Sequence, residues 1–327
     1  MQLLVLHQGA IGDFLLTLPV IQAVREYFSA ASVSVIASAP SAALSAGRSV
    51  VDRWICPETI GLYRLFCRDL PVDEALKTSL NRSDRVLSFL SGPDHLVHER
   101  LIELASNNCE VVSIDPRPTV ETRHTRLHIS QQWVNDIRQA GWTIADARPT
   151  TLRWDRPVPA RLDRTISSRV ARILIHPGSG GVMKCWPMER FVELASTLSD
   201  KLSGTQSSTL LDTSPGVDIT WMLGPAEAKQ ARMLQDRDEP ILFEADLARA
   251  AEQMATFDLY VGNDSGITHL AAAIGLPTVA IFGTTDPYLW QPLGDHVTVV
   301  SPEEPHDDMA GVCVDDVRLA IMSRLSR

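Results

Sequence analysis

Apolar residues along the chain recur with two spacings, which alternate through most of its length. Short apolar runs such as Leu3–Leu6 and Val33–Ile36 are typical of buried strands. Longer stretches such as Phe14–Phe28 place apolar residues three and four positions apart, which predicts helices with one apolar face. Strands that alternate with helices pair in parallel and are covered on both faces, so the pattern predicts an α/β protein with parallel sheets.

The same two patterns predict further elements in both halves of the chain. Strands are expected at Arg85–Leu90, Val111–Ile114, Arg172–His176, Ile219–Leu223, Leu259–Val261 and Thr278–Phe282. Helices are expected at Leu96–Ala105, Ser130–Ala140, Pro187–Leu198, Ala226–Leu234, Asp246–Thr256, Ile267–Ile274 and Val314–Leu325.

Two stretches interrupt this alternation. Residues 146–170 combine prolines with charges of both signs and no periodicity, which indicates an interdomain linker. Residues 202–215 are rich in Ser and Thr and are predicted to be a surface insertion. We therefore expect one Rossmann-like domain at 1–160, a second at 161–312, and a terminal helix at 313–327 that packs back on the first domain.

Composition narrows the class of protein. The 327 residues are 45% hydrophobic and 21% charged, and the five cysteines are scattered without a C-x-x-C pair. This predicts a globular protein of a reducing compartment, with neither a disulfide framework nor a cysteine zinc site. The first residues lack the basic region of a signal peptide, so a cytoplasmic location is expected. Residues 265–285 contain no charged side chain, but Gly275 and Pro277 divide them, which favours a buried helix–strand pair over a membrane span.

Charge is unevenly distributed along the chain. Residues 1–172 carry 20 Lys and Arg against 18 Asp and Glu, whereas the remainder carries 10 against 22, which together give the net charge of −10. Ordinary surface charge explains this, and so does an anionic partner that meets the first half. No basic stripe with interleaved aromatic residues is present, so no nucleic-acid partner is expected.

Three glycine-bearing segments come directly after predicted strands and carry the candidate chemistry. The first, HQGAIGD, contains Gly9, Gly12 and Asp13 but lacks the G-x-G-x-x-G fingerprint of dinucleotide-binding folds. An acidic group at that turn would repel a pyrophosphate. Asp13 is therefore either a helix N-terminal cap or a general base that faces a cleft.

The second segment, HPGSGGVMKCWP, begins at His176. Its glycines, Gly178 among them, form a loop whose backbone amides can converge on an anion, with Ser179 and Lys184 alongside. The alternative is a tight turn with a solvated lysine. The spacing does not match the Walker P-loop, and phosphate binding is the favoured interpretation.

The third segment, NDSGITHLAAAIGLPTVAIFG, leads from a strand directly into a helix. The helix start at Asp264, Ser265 and Gly266 suits a diphosphate because the first amides and the helix dipole attract anions. His269 lies one turn further on, where a histidine is commonly a packed core residue. Glycine turns at the carboxyl ends of strands in both halves predict one ligand cleft between the domains.

Taken together, the three segments resemble glycosyltransferase family 9, the ADP-heptose:lipopolysaccharide heptosyltransferases. The resemblance rests on G-D followed by T-L-P near the amino terminus, on H-P-G-S with a later lysine and W-P, and on N-D-S-G-x-x-H-L-A-A through F-G. It covers residues 1–30 and 172–290, and residues 31–170 match only weakly.

The resemblance implies a GT-B fold and specific roles for individual residues. Asp13 corresponds to the family's catalytic base, and Gly9 and Gly12 form the turn on the acceptor side. The donor-binding positions are Gly178, Ser179, Lys184, Glu227, Asp264, Ser265, Gly266 and His269. Glu227 corresponds to the family's acidic contact to the ribose. Asp236 and Asp238 form a D-x-D string in a charged helix end, where exposure rather than metal binding is expected.

The implied reaction is inverting, metal-independent transfer of heptose from an ADP-sugar, without a cofactor, to the inner core of lipopolysaccharide. The partners would be the nucleotide-sugar donor and an anionic glycolipid acceptor, with peripheral contact at the cytoplasmic face of the inner membrane. Two alternatives remain open. One is a glycosyltransferase of the same fold with another nucleotide-sugar or acceptor, and the other is a non-catalytic nucleotide-sugar-binding relative.

Overall fold

The computed structural model describes residues 1–29, 32–153, 170–199, 216–303 and 308–326. The chain divides into two compact units, Met1–Arg153 and Trp154–Arg327. The predicted insertion at 202–215 and the predicted domain boundary at 160–161 lie outside the described residues, as does most of the predicted linker.

The first unit is built on a five-stranded parallel sheet with the order β3-β2-β1-β4-β5. Its strands are β1 (Gln2–Leu6), β2 (Ser32–Ile36), β3 (Arg53–Ile55), β4 (Arg85–Ser88) and β5 (Glu110–Ser113). Its helices are α1 (Ile11–Tyr27), α2 (Ala39–Ser45), α3 (Glu74–Asn81), α4 (Leu96–Leu104), α5 (Val120–Thr125) and α6 (Ile129–Gln139). The apolar run of β1 is buried on both faces, as expected for a central parallel strand.

The second unit is built on a six-stranded parallel sheet with the order β11-β10-β9-β6-β7-β8. Its strands are β6 (Ala171–His176), β7 (Val217–Leu223), β8 (Ile241–Phe243), β9 (Leu259–Asn263), β10 (Thr278–Ile281) and β11 (Val297–Val300). Its helices are α7 (Met188–Ser199), α8 (Ala228–Gln235), α9 (Leu247–Met254), α10 (Gly266–Ala273), α11 (Pro287–Trp290) and α12 (Val314–Leu325).

Both sheets have the Rossmann strand order. When each unit is numbered from its own first strand, the orders are 3-2-1-4-5 and 3-2-1-4-5-6. The order reverses between β1 and β4 in the first unit and between β6 and β9 in the second. Ligands of open parallel sheets bind at the carboxyl ends of the strands beside such a reversal. Each unit therefore has one defined position where a ligand is expected.

The terminal helix α12 packs within the second unit. Val317, Ile321 and Leu325 join the hydrophobic core of that unit, together with side chains of α7 and the central strands. Part of the apolar surface of the helix is thus covered there, and the packing of residues 313–327 on the first domain stays a prediction. The helix lies beside β9, β10 and β11.

The uncharged stretch at 265–285 is a helix–strand pair, as expected. The eight-residue helix α10 ends before Gly275, which adopts a φ of 81°, and the four-residue strand β10 comes next. In the part of the chain that the structure describes, no helix is both long and apolar enough to cross a bilayer.

Candidate functional site

The loop after β6 and the turn after β9 are joined by an ion pair at the strand reversal of the second unit. Lys184 Nζ lies 2.7 Å from Asp264 Oδ2, and Ser179 Oγ donates a hydrogen bond of 2.6 Å to the carbonyl oxygen of Asp264. The Lys184 side chain is 40% exposed and that of Asp264 only 8%. The lysine side chain is therefore partly accessible to a ligand, and the carboxylate of Asp264 orients its ammonium group.

The start of α10 provides a second group of donors at the same edge. Ser265 is the N-cap, and its hydroxyl accepts a hydrogen bond from Thr268 N–H. The side chain of Ser265 is therefore engaged by the helix itself, so that a ligand would meet the helix start mainly through backbone amides. Gly266 is the first residue of the helix and carries no side chain that would obstruct an approach. Such a helix start favours phosphate groups.

A buried tyrosine stabilises this turn from the interior. Tyr260 Oη and Ser265 Oγ both lie 3.1 Å from Thr268 Oγ1, and Thr268 Oγ1 also donates to the carbonyl of Asn263. Burial raises the pKa of Tyr260 above its usual range, so its hydroxyl stays protonated. The sequence motifs assign no role to Tyr260 or Thr268. In the sequence they are recognisable only as a tyrosine within an apolar strand and a threonine within a largely apolar helix.

Glu227 ends the short 3-10 helix Pro225–Glu227, which comes after β7, and it lies next to the loop after β6. Its Oε2 accepts a hydrogen bond of 2.8 Å from Gly224 N–H, and its side chain is largely buried. A Cβ on Gly178 would lie 2.3 Å from Glu227 Oε1, so these two residues are in direct contact. In Rossmann folds, an acidic residue after the second strand binds the ribose hydroxyls. Glu227 likewise comes after the second strand of its sheet, and its contact with a ribose stays a prediction.

Two histidines of the second unit are buried near these loops. His176 Nδ1 lies 2.9 Å from the Met222 carbonyl, which can only accept, so the proton resides on Nδ1. Burial lowers the pKa of His176, against the opposing effects of the Met222 carbonyl and Glu227, and the ring is neutral. His269 is buried within α10. The sequence allows two interpretations of His269, a packed core residue and a contact to the donor.

In the first unit, Asp13 lies in the first turn of α1 and not before the helix. The helix begins at Ile11, and Asp13 Oδ2 accepts a hydrogen bond of 3.3 Å from Ala10 N–H. The carboxylate is partly exposed at the carboxyl end of β1, beside the strand reversal. Both sequence-based interpretations therefore remain compatible with its position. At 3.3 Å, the bond from Ala10 N–H is long for a hydrogen bond.

The turn that carries Asp13 is closely packed around Gly9. A Cβ on Gly9 would lie 2.7 Å from His7 Cε1 and 3.1 Å from Asp13 Cβ. His7 is fully buried, its Nδ1 accepts from Gly9 N–H at 3.2 Å, and burial lowers its pKa from 6.5 to about 4. Gly12 is buried within α1. The neutral ring of His7 therefore supports the turn from the interior.

The D-x-D string lies apart from this edge of the sheet. Asp236 and Asp238 are exposed just after α8, and Asp238 adopts a φ of 55°. Across the described residues, no group of three or more His, Cys, Asp or Glu side chains is arranged to hold a metal ion.

A sequence model of glycosyltransferase family 9 (heptosyltransferase) matches residues 137–314, which is more than half of the chain. The chain belongs to this family. This confirms the family predicted from the three motifs and, with it, the class of enzyme, a glycosyltransferase.

Curated relatives of family 9 align over part of their length. Lipopolysaccharide heptosyltransferase 3 of Escherichia coli (strain K12) is 28% identical over 132 residues, which cover 38% of this chain and 34% of that protein. Lipopolysaccharide heptosyltransferase 2 of the same strain is 31% identical over 123 residues, which cover 37% of this chain and 33% of that protein. The match thus spans about a third of the length of each of these two relatives.

Solved structures of family 9 proteins share the fold along the whole chain. The glycosyl transferase family 9 protein from Veillonella parvula matches with a TM-score of 0.72 at 16% identity, covering 99% of this chain and 97% of that one. E. coli heptosyltransferase WaaC with ADP matches with a TM-score of 0.66 at 18% identity, covering 99% and 100%. Together with the two parallel α/β sheets, these neighbours confirm the predicted GT-B fold class.

Proposed function

We propose that this family 9 protein transfers a heptose from ADP-heptose to an inner-core acceptor of lipopolysaccharide, with inversion at the anomeric carbon. The acceptor oxygen attacks the anomeric carbon, the bond from that carbon to the diphosphate breaks, and ADP leaves. The acceptor proton passes to a carboxylate. The second unit binds the donor and the first unit binds the acceptor.

The observation that carries the donor assignment is the Lys184–Asp264 pair at the strand reversal of the second unit. Through this pair, the partly exposed side chain of Lys184 lies next to the amide-rich start of α10. Glu227 comes after the second strand of the sheet, where Rossmann folds have an acidic residue that binds the ribose, and this supports a ribose contact. Lys184 and the helix start would bind the diphosphate and stabilise its charge as it departs. We propose that these two groups supply the counter-charge, so that transfer continues in the presence of EDTA.

In this proposal Asp13 is the general base. Its carboxylate is partly exposed at the carboxyl end of β1, where the first Rossmann sheet would bind its ligand. A carboxylate there can accept the proton of an attacking hydroxyl, which is an acid–base role that contributes about 10²–10⁴-fold in rate.

The anionic glycolipid acceptor and the cytoplasmic face of the inner membrane are part of the same proposal. The names of the curated relatives support a lipopolysaccharide acceptor, and WaaC of E. coli is described with ADP. The balance of charge in the first 172 residues, which is far less acidic than the remainder, is compatible with an anionic acceptor.

The decisive experiment is to measure nucleotide release from ADP-heptose with a panel of truncated lipopolysaccharide acceptors. We expect acceptor-dependent ADP release that EDTA does not reduce, and a product with inverted anomeric configuration. Parallel titrations with ADP, UDP and GDP should favour ADP. Preference for UDP or GDP would overturn the donor assignment, and binding of ADP without turnover on every acceptor would favour a non-catalytic binding protein.

A further inference from the structure

The side chain of Asn263 connects the two ends of the loop after β6. This residue ends β9 and is completely buried. Its Oδ1 accepts a hydrogen bond of 3.0 Å from Trp186 N–H, and its Nδ2 donates one of 2.8 Å to the carbonyl oxygen of Pro177. The segment between these two contacts, residues 178–185, is named the donor loop because it contains Gly178, Ser179 and Lys184.

The orientation of the amide is fixed by the chemistry of its partners. The backbone N–H of Trp186 can only donate and the carbonyl of Pro177 can only accept. A primary amide offers one acceptor and one donor on the same planar group, and both are used here. A carboxylate of the same size would face the Pro177 carbonyl with a second oxygen, and an aliphatic side chain would leave both backbone groups without their partner.

Apart from those of Asn263, few side-chain hydrogen bonds join the donor loop to the rest of its unit. Val182 and Met183 are 88% and 70% exposed, so its apolar side chains contribute little packing. Its glycines widen the range of backbone conformations, which raises the entropic cost of ordering the loop. Ser179 and Lys184 both reach Asp264, the neighbour of Asn263, and Thr284 Oγ1 donates a long hydrogen bond of 3.5 Å to the Met183 carbonyl. The backbone hydrogen bonds of the short 3-10 helix Val182–Lys184 lie within the loop itself.

We propose that Asn263 is a positioning residue that pre-organises the donor loop for the nucleotide diphosphate without touching it. This inference rests on the proposed function of the second unit. A loop that is already rigid in its bound conformation binds its ligand more tightly, because the free energy of binding then no longer includes the cost of ordering the loop. Loss of the amide should therefore weaken donor binding although every group proposed to contact the donor is still present.

The test compares Asn263→Ala with Thr278→Val in the full chain. Thr278 is equally buried in the same sheet, and its hydroxyl donates to the Leu276 carbonyl at the opposite, amino-terminal end of β10. The control thus removes a buried hydrogen bond of the same unit away from the donor loop. ADP affinity is measured by calorimetry, stability by thermal unfolding, and donor and acceptor KM by steady-state kinetics.

We expect Asn263→Ala to weaken ADP binding about tenfold, as loss of one or two net hydrogen bonds would. The donor KM should rise in parallel and the acceptor KM should not change. Thr278→Val should lower the melting temperature and leave ADP affinity within about twofold, a shift well below one hydrogen bond. Hydrogen exchange at the Trp186 amide should accelerate in Asn263→Ala alone.

The proposal is overturned if Asn263→Ala loses stability like the control but binds ADP as tightly as the unchanged protein. Should the alanine variant not fold, Asn263→Ser replaces it, because a hydroxyl is too short to reach both ends of the loop and should give the same defect in ADP binding. Failure of the unchanged protein to bind ADP is a separate result: it would overturn the proposed function itself.

Discussion

Asp13 combines a structural contact with a proposed chemical role, and an isosteric substitution separates the two. Asp13→Asn keeps an oxygen that can accept from Ala10 N–H but removes the negative charge. We expect kcat to fall by about 10²–10⁴, the usual loss for a general base. Affinity for ADP and the melting temperature should stay unchanged. Turnover at the original rate would show that Asp13 serves only the start of α1.

Lys184 is expected to bind the donor diphosphate. Because it also forms an ion pair with Asp264, its effect has to be tested in a single and in a double variant. Lys184→Met removes a charged hydrogen bond of roughly 1.5–3 kcal/mol. Donor affinity, measured with ADP, should therefore weaken by about ten- to a hundredfold. The single variant also leaves the buried carboxylate of Asp264 without its ion-pair partner, which should lower stability.

The double variant Lys184→Met, Asp264→Asn distinguishes these two effects. Neutralising Asp264 should recover most of the lost melting temperature, because no unpaired buried charge remains. ADP affinity should recover only the part that repulsion by the unpaired Asp264 carboxylate had removed, since the ammonium group is still missing. Recovery to the affinity of the unchanged protein would mean that Lys184 does not bind the diphosphate.

At the scale of the element, two glycines of the donor loop, Gly178 and Gly180, differ in the space that a side chain would have. A Cβ on Gly178 would lie 2.3 Å from Glu227 Oε1 and 2.9 Å from His176 Cε1, whereas a Cβ on Gly180 would meet nothing within 4 Å. Gly178→Ala must therefore displace either the loop or the carboxylate at the proposed ribose position.

We expect Gly178→Ala to weaken ADP binding at least tenfold, which corresponds to about 1.4 kcal/mol. Gly180→Ala, the matched control two residues away, should bind ADP as the unchanged protein does. Calorimetric titration of both variants is the measurement. Equal affinities for the two variants would imply that the contact between Gly178 and Glu227 has no part in donor binding.

The sequence patterns predicted those helices and strands in which apolar residues recur regularly enough to indicate the type of element. The strand at Leu3–Leu6 and the helix at Val314–Leu325 were found within one or two residues of their observed bounds. The short strand Arg53–Ile55 and the edge strand Val297–Val300 were not predicted. Both lie at sheet edges, where a strand is only partly buried and its pattern is weak.

Only those parts of the candidate site that lie within a single sequence motif could be predicted. Gly178, Lys184 and Ser265 come after predicted strands, so their common edge could be inferred from sequence. The contact of Lys184 with Asp264 spans 80 positions and that of Asn263 with Trp186 spans 77. Such pairs depend on which strands are neighbours in the sheet, and periodicity contains no information about that order.

At the scale of the whole molecule, the two units repeat one local design. Each begins with a central strand that runs into a histidine and then a glycine turn: His7 comes directly after β1, and His176 ends β6. In both, burial lowers the pKa of the imidazole. The units differ in the charged residue beyond the histidine, because the first turn carries Asp13 and the second carries the donor loop with Lys184. A shared scaffold thus presents an anionic group in one unit and a cationic group in the other.

These two histidines make the stability of both units sensitive to acid. The folded protein keeps His7 neutral down to about pH 4, whereas the unfolded chain protonates it below about pH 6.5. Between these values the unfolded state binds more protons, so stability falls as the pH falls through this window. The full effect at His7 is roughly 3 kcal/mol, at about 1.4 kcal/mol for each pH unit. His176 acts in the same direction because burial lowers its pKa as well.

Urea unfolding at pH 7 and at pH 4.5, monitored by circular dichroism, measures this loss. His7→Gln replaces the imidazole with a neutral group that has no titration in this range, so the variant should lose less stability than the unchanged protein between the two pH values. Its stability at pH 7 should be lower, because the edge contacts of His7 with Phe14 and Phe89 disappear. An identical loss on acidification in both proteins would place the acid sensitivity in other titratable groups, such as His176 and the carboxylates, since proton uptake at position 7 would then not contribute.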